Sequence, residues 1–432
     1  MTNRRIHIIL TAALPLALAS GCTKVEQGAG AGIEKEICIS LAQQPQTKTQ
    51  LSGYIINDPN HKVRWNVSDK IRSYSQSGIY MDYTLTATDI NTGSNEGENA
   101  NAQIVYSYGD EWTVCYCAGP KIGGYVGARK KGLLVLGNGI PRVQTGKFED
   151  YHICLAQEHP DNENFVFNDM QAFIRFEVTQ SADGNREGKL LGNYVTKIVL
   201  NSLTPKDKMA GNLELLNDGG WRTSLVDRGN PRDSIITVLP EGGHFKSTDT
   251  PGFKGHYFVA VPARRYADGI RFNLYTVDPS LGETTETRKA YVDVPGTAIA
   301  RNQIFNVHDL LKYCAILVTR IKFKYDQATD AGMTRQDVTD PYGAGIDITE
   351  GHTGKLVADI APESATDKSL EWKSSNDDVV YVAPDGTITG LVANDWAWIK
   401  ARAKDGSETV DSVKVNVKYP AAGGGMDYGR TP

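Results

Sequence analysis

Apolar and polar residues alternate along much of the chain beyond residue 48. Four segments show three apolar residues separated by polar ones most clearly, and they begin at Val63, Ile174, Ile270 and Val413. A period of two with one polar face is typical of half-buried antiparallel strands. Asp-Gly pairs, which favour tight turns, recur at 183–184, 218–219, 268–269, 385–386 and 405–406. The pattern therefore predicts an all-β protein built from sandwiches or barrels.

The first 21 residues have the layout of a secretory signal. Arg4 and Arg5 precede the apolar run 6–19, which is too short to span a bilayer core, since spanning needs about 20 residues. Small residues lead from there to Cys22, and this ending resembles the lipobox of bacterial lipoproteins. The resemblance implies a lipoprotein signal peptide at 1–21, acylation of Cys22 with palmitate, and an outer-membrane protein exposed at the cell surface. The alternative is an ordinary secretory signal that is cleaved near Ala19.

Composition excludes several functional classes. A chain of 432 residues is long enough for two to four domains. Its net charge of −5 is spread evenly, so there is no electrostatic footprint for nucleic acid. Six cysteines leave an odd number once Cys22 is set aside, which argues against a disulfide framework. Cys115 and Cys117 fit small buried hydrophobes better than metal ligands, and their pairing with each other stays open.

Motifs that carry catalysis are missing from the sequence. It contains no HExxH, no G-x-S-x-G, no Walker loop and no EF-hand loop. The acidic pair Asp377 and Asp378 falls in a polar segment and is interpreted as a solvated turn. The polar stretch 158–163 is a weak candidate for calcium. The sequence therefore predicts a protein that is not an enzyme and holds neither a cofactor nor a metal.

The C-terminal part of the chain carries two connected motifs. The residues W-K-S-S-N at 372–376 are followed by D-G-T-I-T-G-L at 385–391. They resemble the group-2 bacterial Ig-like domain, which implies an Ig-like β-sandwich at 314–419 followed by a loose tail at 420–432. Trp372 is then expected to be the core aromatic between the two sheets. Domains of this family act as spacers or adhesive modules.

One strand of this predicted domain departs from the family pattern. Ala397, Ile399 and Ala401 fit the inward positions, so alternation turns Trp396 and Trp398 outward together. Two exposed indoles suggest contact with a ligand or partner, either a surface glycan or a protein. The alternative is packing against another part of the same chain.

The remainder of the chain carries a more dispersed set of motifs. They are T-K-T-Q-L at 47–51, V-R-W-N-V-S-D-K-I at 63–71, F-N-D-M-Q-A-F-I-R-F at 167–176, M-A-G at 209–211, Y-F-V-A-V-P at 257–262 and I-F-N-V at 304–307. These residues resemble the fimbrillin-like lipoproteins, which build surface fimbriae. The resemblance implies two transthyretin-like β-sandwiches at 46–170 and 171–313. The glycine-rich stretch 28–32, which lies between the predicted anchor and the first sandwich, separately predicts a flexible tether at 22–45.

The same resemblance implies assembly by β-strand exchange. In this family a protease removes the first strand and a strand of a neighbouring subunit fills the groove. The candidate exchange segment includes Lys48, Gln50 and Leu51. Because an Ig-like domain follows the second sandwich, we expect an accessory, tip or basal subunit rather than a stalk subunit. The partners would be other fimbrial subunits, a surface glycan or protein, and the membrane through the lipid. The alternative function is a glycan-binding surface lipoprotein of a nutrient-uptake system.

Overall fold

The computed structural model divides the chain into two compact units. The first comprises Met1–Glu286 with Val292–Tyr313, and the second comprises Thr287–Tyr291 with Cys314–Pro432. All regular elements among the described residues are strands, which confirms the predicted all-β class. The described part of the chain also contains no helix long and apolar enough to cross a membrane. The residues described are 4–6, 32–41, 63–66, 69–87, 96–97, 99–118, 122, 126–130, 133–148, 150–179, 195–217, 221–225, 231–238, 254–277, 282–301, 303–307, 310–311, 313–324, 333–335 and 345–420.

The first unit contains the strands that precede residue 314, except that residues 287–291 belong to the second unit. In its N-terminal half these are β1 (Arg4–Ile6), β2 (Ile33–Leu41), β3 (Val63–Asn66), β4 (Lys70–Ser75), β5 (Tyr80–Thr84), β6 (Thr86–Ala87), β7 (Glu96–Gly97), β8 (Asn99–Tyr106), β9 (Thr113–Ala118), β10 (Val126–Lys130), β11 (Leu133–Ile140), β12 (Val143–Gln144), β13 (Ile153–Glu158) and β14 (Asn164–Asp169). In its C-terminal half they are β15 (Ala172–Thr179), β16 (Val195–Ser202), β17 (Gly211–Asn217), β18 (Trp221–Leu225), β19 (Ser234–Val238), β20 (Lys254–Val261), β21 (Arg264–Tyr266), β22 (Ile270–Thr276), β23 (Thr287–Val294), β24 (Thr297–Ile299) and β25 (Ile304–Val307).

An eight-stranded sheet organises the N-terminal half of the first unit. Its strand order is β5-β4-β9-β13-β14-β2-β8-β6. Apolar residues on one face of this sheet form a shared core with Phe173 and Ala260 from the C-terminal half. A smaller sheet has the order β1-β3-β7. Its strand β1 lies within the predicted signal peptide, so cleavage after Gly21 would remove it.

The strand β2 corrects the predicted tether at 22–45. It lies between β8, with which it is antiparallel, and β14, with which it is parallel. Ile37 and Ile39 are each 1% exposed and belong to the core, while Glu36 and Cys38 point outward. Charged residues between the isoleucines make this segment look solvated, but their alternation is that of a strand with one buried face. The prediction of a flexible tether was therefore wrong for 33–41.

Strands from both predicted sandwiches share sheets in the C-terminal half of the first unit. The orders are β10-β11-β17-β18, β20-β15-β25 and β21-β24, and a further sheet runs β12-β19-β16-β22-β23. Thus β11 pairs antiparallel with β17, and β12 pairs parallel with β19. The structure differs here from a division at residue 170, because alternation predicts a strand but not its partner. The transthyretin-like assignment stays a prediction.

The second unit is a β-sandwich. Its strands are β26 (Ala315–Ile316), β27 (Arg320–Phe323), β28 (Met333–Arg335), β29 (Gly345–Thr349), β30 (Thr353–Lys355), β31 (Ala358–Ala361), β32 (Leu370–Ser374), β33 (Val380–Val382), β34 (Thr387–Gly390), β35 (Asp395–Ala403) and β36 (Val410–Lys418). One sheet has the order β28-β29-β36-β35-β32, and the other strands form β30-β34-β33 and β27-β31. Residues 290–291 of β23 pair antiparallel with β26.

Two of the predicted Asp-Gly turns join neighbouring strands of the second unit. Gly386 lies between the paired strands β33 and β34 and has φ +85°. Its neighbour Asp385 accepts hydrogen bonds from the backbone N–H of Thr387 and from Lys355, and these hold the pKa of the Asp385 carboxyl at about 2. Gly406, with φ +80°, lies between β35 and β36. Both glycines adopt left-handed backbone that side-chain-bearing residues avoid.

Candidate binding face of the C-terminal unit

The outer face of the five-stranded sheet in the second unit presents two tryptophans. Along β35 the side chains of Ala397, Ile399 and Ala401 are fully buried in the sandwich core. Trp396 and Trp398 alternate with them and are 46% and 40% exposed. The strand is central in its sheet, between β36 and β32, so its pleat fixes both indoles on the outer face.

Backbone hydrogen bonds fix the position of Trp398. Its N–H donates to Ser375 Oγ at 2.9 Å, and its carbonyl accepts from the Ser375 N–H at 2.8 Å. Ser375 follows directly after β32, whose Ser374 pairs with Ile399. The S-S-N motif therefore anchors the strand that carries the tryptophans.

Side chains of β36 flank the two indoles. Lys414 lies opposite Trp398 in the register, and its Nζ is 5.0 Å from the ring centroid of Trp396. Asn416 lies opposite Trp396 and donates from Nδ2 to Asp347 Oδ1 at 3.0 Å. The indoles therefore have a cation and an amide directly beside them, both within reach of a ligand on this face.

Further basic residues lie on the same face around the indoles. On β35 itself Lys400 follows Trp398 by two residues, and Lys373 of β32 lies directly opposite Lys400. Arg402 forms an ion pair with Glu408 and lies opposite Glu371. We call the outward side chains Trp396, Trp398, Lys373, Lys400 and Lys414 the tryptophan–lysine face.

Trp372 occupies a less buried position than the sequence indicates. It is half-buried at the edge of the core, where its ring centroid is 5.9 Å from that of Phe323. A Cβ at Gly386 would lie 2.8 Å from the Trp372 ring, so the glycine of the D-G turn makes room for the indole. The ring therefore covers the core beside the turn instead of filling its centre.

The remaining predicted site residues are dispersed. Asp377 and Asp378 are exposed in the turn before β33, as expected for a solvated turn. Among the residues that the structure describes, no group of three or more His, Cys, Asp or Glu side chains is arranged to hold a metal. The predicted lipidation site and exchange-segment residues, Cys22, Lys48, Gln50 and Leu51, lie outside the described residues.

The cysteines of the first unit occupy its core. Cys115 and Cys117 are free thiols on the same face of β9, and the register places Cys154 of β13 opposite Cys117. Burial raises the pKa values of the Cys115 and Cys154 thiols. Thiols in this state are poor nucleophiles and poor ligands, which fits the interpretation as small core residues.

Sequence reasoning missed the lysines of the tryptophan–lysine face and a buried polar pair. The sequence does not show that these lysines lie close together, because their proximity depends on strand register. Alternation alone does turn Lys400 outward with Trp398. The pair is His152 and Asp169, whose Nε2 and Oδ1 atoms are 2.7 Å apart in the first unit. No motif links residues at this spacing, so only the fold brings them together.

Comparison with known proteins identifies part of the chain. Crystal structures of a "putative cell adhesion protein" from Bacteroides ovatus and of another from Bacteroides uniformis are each 10% identical to it. The first covers 64% of this chain and 92% of its own, with a TM-score of 0.34. The second covers 76% and 98%, with a TM-score of 0.30. No curated protein is significantly similar. Residues 346–413 match the bacterial Ig-like domain (group 2), so the C-terminal unit contains such a domain.

Proposed function

We propose that this protein is a non-catalytic, adhesive surface protein that binds its partner through the tryptophan–lysine face. The observation that carries the proposal is the outward placement of Trp396 and Trp398 on a strand whose alternate residues are fully buried. Burying each indole against a partner would remove a large apolar area from water, and tryptophan is enriched among residues that dominate binding energy. The domain core needs neither ring, so binding is the function this placement supports.

The test compares bacteria that carry the wild-type protein with bacteria that carry Trp396→Ala/Trp398→Ala. Adherence to a host-cell monolayer should fall by about tenfold or more, because a lost pair of anchor residues removes at least about 1.4 kcal/mol. Tyr381→Ala is the matched control, since Tyr381 is 49% exposed on the other sheet. Equal adherence of all three strains, at equal surface amount and melting temperature, would refute the proposal.

The proposed attachment to the outer membrane is through acyl chains on Cys22. The lipobox-like ending at this residue supports it, and each buried methylene would contribute about 0.8 kcal/mol of membrane affinity. Radiolabelled palmitate should enter the wild-type protein and not Cys22→Ala. Equal labelling of both would show that the thiol is not the anchor.

The finer proposal is a fimbrial subunit assembled by strand exchange. Its support is β2, an N-terminal strand whose Ile37 and Ile39 fill core positions between β8 and β14. Cleavage near Lys48 would cut the chain a few residues C-terminal to β2. If β2 then dissociated, unpaired backbone groups and empty apolar positions would be exposed to an incoming strand. We therefore propose β2 as a second candidate for the exchanged strand, beside the segment that includes Lys48, Gln50 and Leu51.

Trypsin treatment of the purified mature protein tests this assembly. Because the Ig-like domain follows the last strand of the first unit directly, we expect an accessory, tip or basal subunit that does not polymerise alone. The cleaved protein should bind a synthetic peptide of a donor strand while giving no ladder on an unboiled denaturing gel. A regular ladder from this protein alone would indicate a stalk subunit. Failure to bind any donor-strand peptide would contradict assembly by strand exchange.

The second candidate is a glycan-binding surface lipoprotein that serves nutrient uptake. The observation that favours it is the same indole pair, because flat aromatic rings stack on the apolar faces of sugars. Growth on a polysaccharide as sole carbon source separates the two functions. A growth defect of the Trp396→Ala/Trp398→Ala strain with normal adherence would favour this candidate.

A further inference from the structure

Two lysines stand face to face beside the tryptophans. Lys373 of β32 and Lys400 of β35 are exposed and directly opposite in the register, and Lys414 lies opposite Trp398 on the other side. Directly opposed residues in an antiparallel pair have Cβ atoms about 4.5–5.5 Å apart, and like charges there are destabilising. An anion bound between the two ammonium groups would relieve this repulsion.

The carboxylates near this face are engaged elsewhere except Glu371, which is exposed on the face and lies opposite Arg402. Glu408 pairs with Arg402, and Asp347 accepts from Asn416 and lies 3.7 Å from Lys418 Nζ. Asp395 accepts the backbone N–H of Trp396 at 2.8 Å. Among the described residues, no carboxylate forms an ion pair with Lys373, Lys400 or Lys414. The area around the indoles is therefore positive although the whole chain carries a net charge of −5.

We propose that the tryptophan–lysine face binds an acidic polysaccharide, a proposal that rests on the adhesive function above. The indoles of Trp396 and Trp398 would stack on successive sugar faces, since residues two apart on a strand are about 6.6 Å apart. The ammonium groups of Lys373, Lys400 and Lys414 would bind the carboxylate or sulfate groups of the chain. Asn416 supplies an amide for the sugar hydroxyls.

A protein partner fits this surface less well. A standard protein interface buries about 800 Å² on each side, and its centre is depleted in lysine. On this face the two indoles are surrounded by lysines, and such a composition suits a polar, charged ligand with small apolar patches. A sugar acid has both properties within each unit.

The experiment measures binding of the full mature chain to polygalacturonate, to its methyl ester and to heparin. The methyl ester keeps the sugar backbone and removes the carboxylate charge. Trp396→Ala/Trp398→Ala and Lys373→Ala/Lys400→Ala should each weaken binding to an acidic probe by about tenfold. The control Lys322→Ala/Lys368→Ala removes two exposed lysines elsewhere in the same unit and should have no effect. Binding should also weaken at high ionic strength, since exposed charges are screened.

The outcomes separate this proposal from the adhesive function. Equal, salt-independent binding of polygalacturonate and its ester would overturn the acidic class and leave a neutral glycan. No binding to either acidic probe, together with tryptophan-dependent adherence of cells, would overturn the polysaccharide and leave an adhesive face for another partner. If neither acidic probe binds and the tryptophan substitutions leave the adherence of cells unchanged, both proposals are overturned.

Discussion

Replacing Ile39 with aspartate should prevent the first unit from folding. Ile39 is 1% exposed in the core of the eight-stranded sheet. Loss of a buried isoleucine typically costs about 2–5 kcal/mol, and an unpaired buried carboxylate adds several more. Domains are stable by only about 5–15 kcal/mol, so the sum removes most or all of the stability. Circular dichroism with limited proteolysis should show lost strand signal and rapid degradation of the region before residue 314.

The neighbouring residue provides the matched control for this substitution. Cys38 belongs to the same strand but its side chain is exposed. Cys38→Asp should therefore change the free energy of unfolding by only about 0.5 kcal/mol, as is usual for surface positions. If Ile39→Asp melts like Cys38→Asp, then β2 is not inserted in the sheet and the strand-exchange proposal loses its basis.

Replacing Gly269 with alanine should have the second largest effect. Gly269 connects β21 to β22 with φ +103°, and an added Cβ would lie 2.0 Å from the carbonyl oxygen of Val294. Because this oxygen belongs to the backbone, the clash cannot be relieved by a side-chain rotation, and the backbone at Gly269 or Val294 has to shift. Together with the left-handed conformation, this should lower the free energy of unfolding by more than about 3 kcal/mol. Chemical denaturation of the purified protein measures the loss.

A substitution at Gly282 distinguishes the cost of the backbone clash from the cost of the left-handed conformation. It also has positive φ, at +73°, but an added Cβ would meet nothing within 4 Å. Gly282→Ala should therefore cost only the conformational strain, about 1–2 kcal/mol. Equal losses for the two substitutions would show that the approach of Val294 to Gly269 is not a close contact in the folded protein.

The sequence predicted the direction of the two tryptophans but not their surroundings. Side-chain direction on a strand follows from alternation alone, so Ala397 and Ile399 were sufficient to turn Trp396 and Trp398 outward. The pairing of Lys373 with Lys400 depends on the register between β32 and β35. Register is set by the whole sandwich, and no local pattern encodes it.

Two parts of the first unit could not be predicted for a similar reason. The glycines at 28–32 suggested a tether that extends to residue 45, while the parallel partner of the strand at 33–41 begins only at Asn164. Likewise, the strands β11 and β12 at 133–144 pair with strands beyond residue 200. Strand content follows from local pattern, whereas pairing over such separations depends on the complete core.

The position of β2 also sets the order in which the first unit can be completed. This strand is made early, yet its antiparallel partner ends at Tyr106 and its parallel partner ends at Asp169. Contacts between residues so far apart in sequence slow folding, because a long loop has to close before they form. A chain that emerges N-terminus first would therefore hold β2 unpaired until β8 has been made, and would leave its other edge open until Asp169. During that interval the strand is available to a chaperone, to a protease or to the sheet of another copy.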